Sequence, residues 1–145
     1  MIAQDVPGLV AGAAKGVGLG HAFLRHVERC HVILHLVDAT SIDAVADFAM
    51  LNRELAQYGT GQLANMPQVV VVNKVDAYEE GKEENSEEGL KMKLSREELK
   101  RQLEEEMQHS RLMWVSAKEK EGVNELMGRM AKYVGSVQQT KADAE

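Results

Sequence analysis

Three β-rich runs, Val32-Ile-Leu-His-Leu-Val37, Val69-Val-Val-Val72 and Leu112-Met-Trp-Val115, each have strand length and each end at a polar residue. Runs of this kind lack the apolar–polar alternation of a half-exposed strand. They predict strands buried on both faces, which belong to parallel sheets with helical crossovers. The crossovers are visible in the intervening sequence. Ser41–Tyr58 carries Ile42, Val45, Phe48, Ala49, Leu51 and Leu55 at helical spacing and stops before Gly59. Ser95–His109 opens with Ser95-Arg-Glu-Glu98, the spacing of a capping box, and aligns Leu94, Leu99, Leu103 and Met107 on one stripe. Val123–Val137 repeats the theme through Leu126, Met127, Met130, Tyr133 and Val134. Strands and helices alternate, so the expected class is α/β with a doubly wound, mainly parallel sheet.

At 145 residues there is room for one compact domain and little else. A chain 44% hydrophobic and 28% charged has enough apolar surface to bury a core, which excludes a wholly disordered polypeptide. Asp plus Glu number 23 against 17 Lys plus Arg, so no global positive field exists to hold a polyanion, and generic DNA binding is disfavoured. Cys30 is the single cysteine and has no intrachain partner, which excludes a disulfide-stapled secreted scaffold and suits a reducing compartment. No run approaches the roughly 20 apolar residues of a membrane span, and Met1–Gln4 does not open a signal sequence, so neither membrane insertion nor secretion is expected. Two segments have little to bury. Residues 77–94, built around Glu79-Glu-Gly-Lys-Glu-Glu-Asn-Ser-Glu-Glu88, are expected as a mobile acidic surface insertion, and residues 138–145 as a flexible tail.

Chemistry concentrates at the strand ends. Asp5, Val6, Pro7 and Gly8 follow the short apolar lead Met1-Ile-Ala3, which puts Asp5 at the carboxyl end of a strand, where ligands bind in open α/β sheets. An acid there suits a hydrated Mg2+ ion, and a glycine lets its backbone N–H approach a terminal phosphate. A simple Asp-Pro-Gly turn gives the same pattern. At the end of the second run stand Asn73, Lys74 and Asp76. Asp76 offers two acceptors to paired donors such as guanine N1 and N2, which adenine lacks, and the Lys74 stem can cover the flat face of a base. Ser116, Ala117 and Lys118 follow the third run, where the Ala117 amide can donate to guanine O6 and Ser116 can brace a neighbouring carboxylate. Each signal alone arises by chance. The order D-x-x-G, N-K-x-D, S-A-K, each at a strand end, is far harder to produce by accident.

Around the first signal the run Asp5-Val-Pro-Gly-Leu-Val-Ala-Gly-Ala-Ala-Lys-Gly-Val-Gly-Leu-Gly-His-Ala-Phe-Leu-Arg-His-Val-Glu-Arg29 resembles the switch II hallmark of the Obg family of P-loop GTPases. The resemblance extends through Asn73-Lys-Val-Asp76 and Ser116-Ala-Lys118 to about Val134. It implies a partial Obg-type G domain over residues 1–137, of Rossmann-like type. It also implies GTP or GDP as ligand, with Mg2+ held through water by Asp5, and a partner in the ribosomal large subunit or its assembly intermediates. The departures matter as well. Nothing fits the P-loop pattern G-x-x-x-x-G-K-[ST], since Val17 stands five residues after Gly12, and switch I has no counterpart. Leu9 occupies the position where many GTPases carry a water-orienting glutamine, so fast intrinsic hydrolysis is not expected.

His21 and His26 are five apart, which does not align them on one helical face as metal ligands. The ladder Gly16, Gly18, Gly20 has His21 where a third fingerprint glycine belongs, so a dinucleotide oxidoreductase is disfavoured and a conformational switch fits better. The main alternative is a noncatalytic interaction module with a base pocket and weak or no nucleotide binding. The implied compartment is cytoplasmic or organellar, in a plastid or mitochondrion. In the strand order of the resembled fold, the P-loop strand lies between that carrying Asp5 and that at Val32–Val37. The later strands are therefore expected as a compact but marginal unit with an exposed edge at Val32–Val37, while Met1 to about Gly20 is expected to stay mobile or to dock non-natively.

Overall fold

The computed structural model describes residues 20–81, 83–86, 89–107 and 109–145. Asp5–Gly8, and the mobility expected before Gly20, lie outside them. Three strands, β1 (Ile33–Asp38), β2 (Gln68–Asn73) and β5 (Leu112–Trp114), form a parallel sheet in the order β1-β2-β5. The helices are α1 (Gly20–Val27), α2 (Ala44–Gln57), α3 (Arg96–Met107) and α4 (Val123–Ala144). This is the α/β architecture expected of a partial P-loop GTPase fold, with helices on both faces of the sheet.

The packing follows from period-two alternation along strands whose neighbours run parallel. Val37, Val70 and Val72 point to one face, where Phe48 of α2 and Leu99, Leu103 and Met107 of α3 complete a core. Val69, Val71 and Met113 point to the other, under Leu126 and Met130 of α4. A smaller cluster joins Leu24 of α1 to Leu55 and Leu63. The central strand β2 is buried at all four valines, as its unbroken apolar run demands. β1 departs from the expectation of burial on both faces. Leu34 and Leu36 remain 41% and 59% exposed, because α4 lies over β2 and β5 and covers neither leucine.

Helix ends follow local chemistry. Asp43 caps α2 by accepting from the Ala46 amide at 3.0 Å. Ser95 Oγ accepts from the Glu98 amide at 3.1 Å, while the Glu98 carboxylate turns to Arg101 and Gln102, so only half of the expected capping box closes. The α1 helix was not anticipated, although Phe23, Leu24 and Val27 carry helical spacing.

Two boundaries differ from expectation. Within residues 77–94, expected as an irregular mobile insertion, strands β3 (Glu83–Ser86) and β4 (Gly89–Met92) pair antiparallel from Glu83↔Met92 to Ser86↔Gly89. The base of this hairpin is tied down: Gly81 donates its amide to the Lys93 carbonyl at 3.0 Å, Arg96 donates its amide to Glu80 Oε1 at 3.1 Å, and Tyr78 Oη donates to the Leu94 carbonyl. Composition reports what a segment can bury. It does not report whether its backbone groups pair with one another, and a short connection makes that pairing cheap. Residues 138–145 likewise extend a helix rather than forming an irregular tail, since α4 runs on to Ala144. Gln139 Nε2 donates to Asp143 Oδ1 at 2.9 Å and Thr140 Oγ1 to the Ser136 carbonyl at 3.0 Å, local bonds that need no core.

Candidate functional site

Parallel register brings the three strand ends to one level. Asp38 pairs with Asn73, and Val72 with Trp114, so Asp38, the Asn73–Asp76 turn and the Ser116–Lys118 loop emerge together at the carboxyl edge of the sheet. That edge is where open α/β sheets bind ligands.

The Asn73–Asp76 turn is built tightly. The Asn73 carbonyl accepts from the Ala39 amide at 3.0 Å, and Val75, itself buried, donates its amide to the Val115 carbonyl at 3.3 Å. Lys74 adopts φ 66 and ψ 34, a left-handed conformation uncommon outside glycine, before the 3-10 turn Val75–Ala77. Asp76 is exposed, and its Oδ1 accepts from Ser116 Oγ at 2.6 Å. Its Oδ2 has no partner among the described residues, so one acceptor stays bound to protein while the other faces outward.

Ser116 is fully buried and organises the third loop. It exchanges both backbone bonds with Glu121 at 3.0 Å, and its Oγ accepts from the Glu119 amide at 3.1 Å. The turn closes on Gly122, whose φ of 74 suits glycine. A Cβ there would stand 3.0 Å from the Trp114 carbonyl oxygen. Asn73 reaches across and accepts the Ala117 amide on its Oδ1 at 3.0 Å. The amide expected to face guanine O6 is therefore engaged within the protein, whereas the Lys118 amide, one residue on, has no partner among the described residues. The structure brings Asn73, Lys74, Asp76, Ser116, Ala117 and Lys118 to one edge of the sheet, joined by Asn73–Ala117 and Asp76–Ser116 across the β2–β5 seam.

One residue at this edge escaped the sequence reading. Asp38 ends β1, and its Oδ2 accepts from Lys74 Nζ at 2.7 Å. Its Oδ1 accepts from the Thr40 amide at 2.8 Å and from Thr40 Oγ1 at 2.6 Å. Partial burial pushes the Asp38 carboxyl up, but the hydrogen bonds from Lys74 and Thr40 and the charge of Lys74 more than reverse this, leaving its pKa below the ordinary value. The signal was present in the sequence, because Val37-Asp38 also ends a strand at a polar residue.

The family model of the 50S ribosome-binding GTPases matches residues 1–74. The chain belongs to that family and carries part of an Obg-type G domain. Among its relatives, GTPase Obg of Crocosphaera subtropica is 43% identical over 123 residues, covering 85% of this chain and 32% of its own length. GTPase Obg of a Synechococcus species is 54% identical over 79 residues, covering 54% of this chain and 20% of its own length. The protein of that name from Nostoc punctiforme is 56% identical over 73 residues, or 50% and 21%. The chain thus spans a third or less of the relatives it matches. Asp5–Gly8 falls within the matched region but outside the described residues. Among the described residues no group of three His, Cys, Asp or Glu side chains converges to hold a metal, and no helix is long and apolar enough to cross a membrane.

Proposed function

We propose that this chain supplies the guanine-recognition part of an Obg-type GTPase. The observation that carries the reading is the double cross-link at the β2 and β5 ends, Asp76–Ser116 at 2.6 Å beside Asn73–Ala117 at 3.0 Å. It holds a carboxylate with one outward oxygen next to a backbone amide, Lys118, that has no partner among the described residues. Guanine offers the complementary set, with N1–H and N2–H for the Asp76 carboxylate and O6 for the Lys118 amide. Adenine reverses the polarity at that edge and would leave these groups unpaired. Ala117 shapes the loop through Asn73, and the Lys74 stem covers one face of the base. None of these residues touches a phosphate, and no hydrolytic step is assigned to them.

Phosphate sensing belongs in this proposal to Asp5, Val6, Pro7 and Gly8, with Mg2+ held through water by Asp5. Family membership supports a ribosomal partner, the large subunit or its assembly intermediates, in the cytoplasm, a plastid or a mitochondrion. The site is tested by titrating 15N-labelled chain with GDP and, separately, with ADP to millimolar concentration. Amide shifts at Asn73, Asp76 and Ser116–Lys118 with GDP alone are the expected result. Equal responses to the two nucleotides, or none, would overturn the pocket and leave a noncatalytic interaction module.

A further inference from the structure

We infer that Asp38 is a positioning residue for base recognition, fixing Lys74 as a platform for the purine ring through an anchor that Thr40 holds in place. The inference rests on the guanine-pocket reading and adds to it a residue from a third strand end.

The geometry is one of successive constraint. Thr40 gives two donors, its amide at 2.8 Å and its hydroxyl at 2.6 Å, to the same Asp38 oxygen. That fixes the carboxylate plane and presents the other oxygen to Lys74 Nζ at 2.7 Å. The backbone is fixed as well, because Asp38 and Asn73 are in register and the Ala39 amide donates to the Asn73 carbonyl at 3.0 Å. Lys74 is thus held at both ends, by a left-handed backbone and by its ammonium group.

Stability does not account for this arrangement. The side chains of Lys74 and Asp38 are 55% and 39% exposed, and pairs so open to solvent contribute little to folding. A left-handed lysine opposes folding, since non-glycine residues reach that region only when surrounding structure imposes it. What the ion pair does achieve is loss of motion. A lysine stem is among the most mobile of side chains, and ordering it at the moment of binding costs affinity that ordering it beforehand restores. Asp38 thus acts on the base through Lys74 and touches no ligand itself.

The test follows the Lys74 Cε methylene by 13C relaxation in the full chain, assigned with Lys74→Arg, alongside titrations with GDP and with IDP, which lacks the guanine N2 amino group. Asp38→Asn keeps an acceptor for Thr40 and removes the charge. Lys74 Cε should be rigid in the wild type and mobile in Asp38→Asn, with GDP binding weakened about 2- to 10-fold. The platform meets the ring face and not its edge, so the ratio of GDP to IDP affinity should stay at the wild-type value. General damage to the pocket would change it. In wild-type protein, 0.5 M KCl should loosen Lys74 Cε without any substitution, because an exposed pair is screened. A mobile Lys74 in the wild type at low salt, or unchanged GDP affinity in a variant whose Lys74 has been released, overturns the positioning role alone. Wild-type chain that binds no GDP while Lys74 is rigid overturns the guanine pocket, and the positioning role falls with it.

Discussion

Asp76 and Ser116 stand 40 positions apart in sequence and are joined by a 2.6 Å hydrogen bond across the seam between two parallel strands. The serine is buried and the aspartate exposed, so the bond fixes a surface acceptor by means of a group that cannot move. Removing it with Ser116→Ala also deprives the Glu119 amide of its acceptor. Both released groups regain water, which keeps the cost to about 1 kcal/mol in urea unfolding. The Asp76 and Glu119 amide signals should move more than those of the distant core strand. An unchanged unfolding midpoint with unmoved signals would show that the loop holds itself without Ser116.

Asp76→Asn preserves an oxygen for Ser116 and replaces the outward oxygen with an amino group. That group repels guanine N1–H and N2–H and suits the second carbonyl of xanthine. Loss of a charge-assisted pair should weaken GDP by about 2 kcal/mol, near 30-fold, while XDP gains. Competitive titration with the two diphosphates measures the ratio. If it does not change, Asp76 is not the residue that reads the base edge.

Gly122 and Gly128 make a matched pair. Gly122 sits at φ 74 with the Trp114 carbonyl oxygen 3.0 Å and Val115 Cγ1 3.3 Å from where a Cβ would lie, whereas a Cβ at Gly128 meets nothing within 4 Å. Gly122→Ala should therefore destabilise by about 1–3 kcal/mol through backbone strain and crowding. Gly128→Ala lies inside α4 and should stabilise by about 0.5–1 kcal/mol through helix propensity. Denaturant unfolding of the two variants should give opposite signs, and matching signs would contradict the loop conformation.

The three strand ends were legible because unbroken apolar runs closed by polar residues say both where a parallel strand lies and which side chains reach its ligand edge. Val69–Val72 illustrates this fully, buried at each position and followed at once by Asn73. The same rule applied to Asp38, yet the residue went unread because its role lies in a contact with Lys74, and sequence carries no distances. Leu34 and Leu36 show the limit of the run as a burial signal: an apolar strand asks for cover on both faces, but which helix provides it depends on where α4 crosses the sheet. The Glu83–Met92 hairpin was missed for a related reason, since backbone pairing leaves no hydrophobic trace. The Ala117 amide marks a finer limit, because the donor expected to face a base edge is taken by Asn73, a contact that only geometry reveals.

His35 offers a test of the core through pH. It faces inward from β1, 4% exposed, stacked on Phe48 with ring centroids 4.6 Å apart, and its Nδ1 has no hydrogen-bond partner among the described residues. Burial drives its pKa down, only partly offset by a side-chain hydrogen bond with Gln68, so that it falls from 6.5 to about 4. The unfolded chain therefore takes up a proton in a range where the folded chain does not. Above about pH 6.5 the histidine is neutral in both states and its full contribution to stability is present. That contribution is lost as pH falls from about 6.5 toward about 4, and below about 4 no further loss comes from this group. Between pH 7.5 and 4.5 the loss amounts to about 2–3 kcal/mol. His35→Leu fills a similar volume, removes the unpartnered nitrogen and abolishes this titration. Its unfolding free energy should decline less with acid than that of the wild type by about that amount, the carboxylates contributing equally to both. Urea unfolding of the two proteins at pH 7.5 and pH 4.5 gives the double difference directly. Parallel declines would mean that His35 takes up its proton in the folded state, and the inward packing of β1 against Phe48 would have to be abandoned.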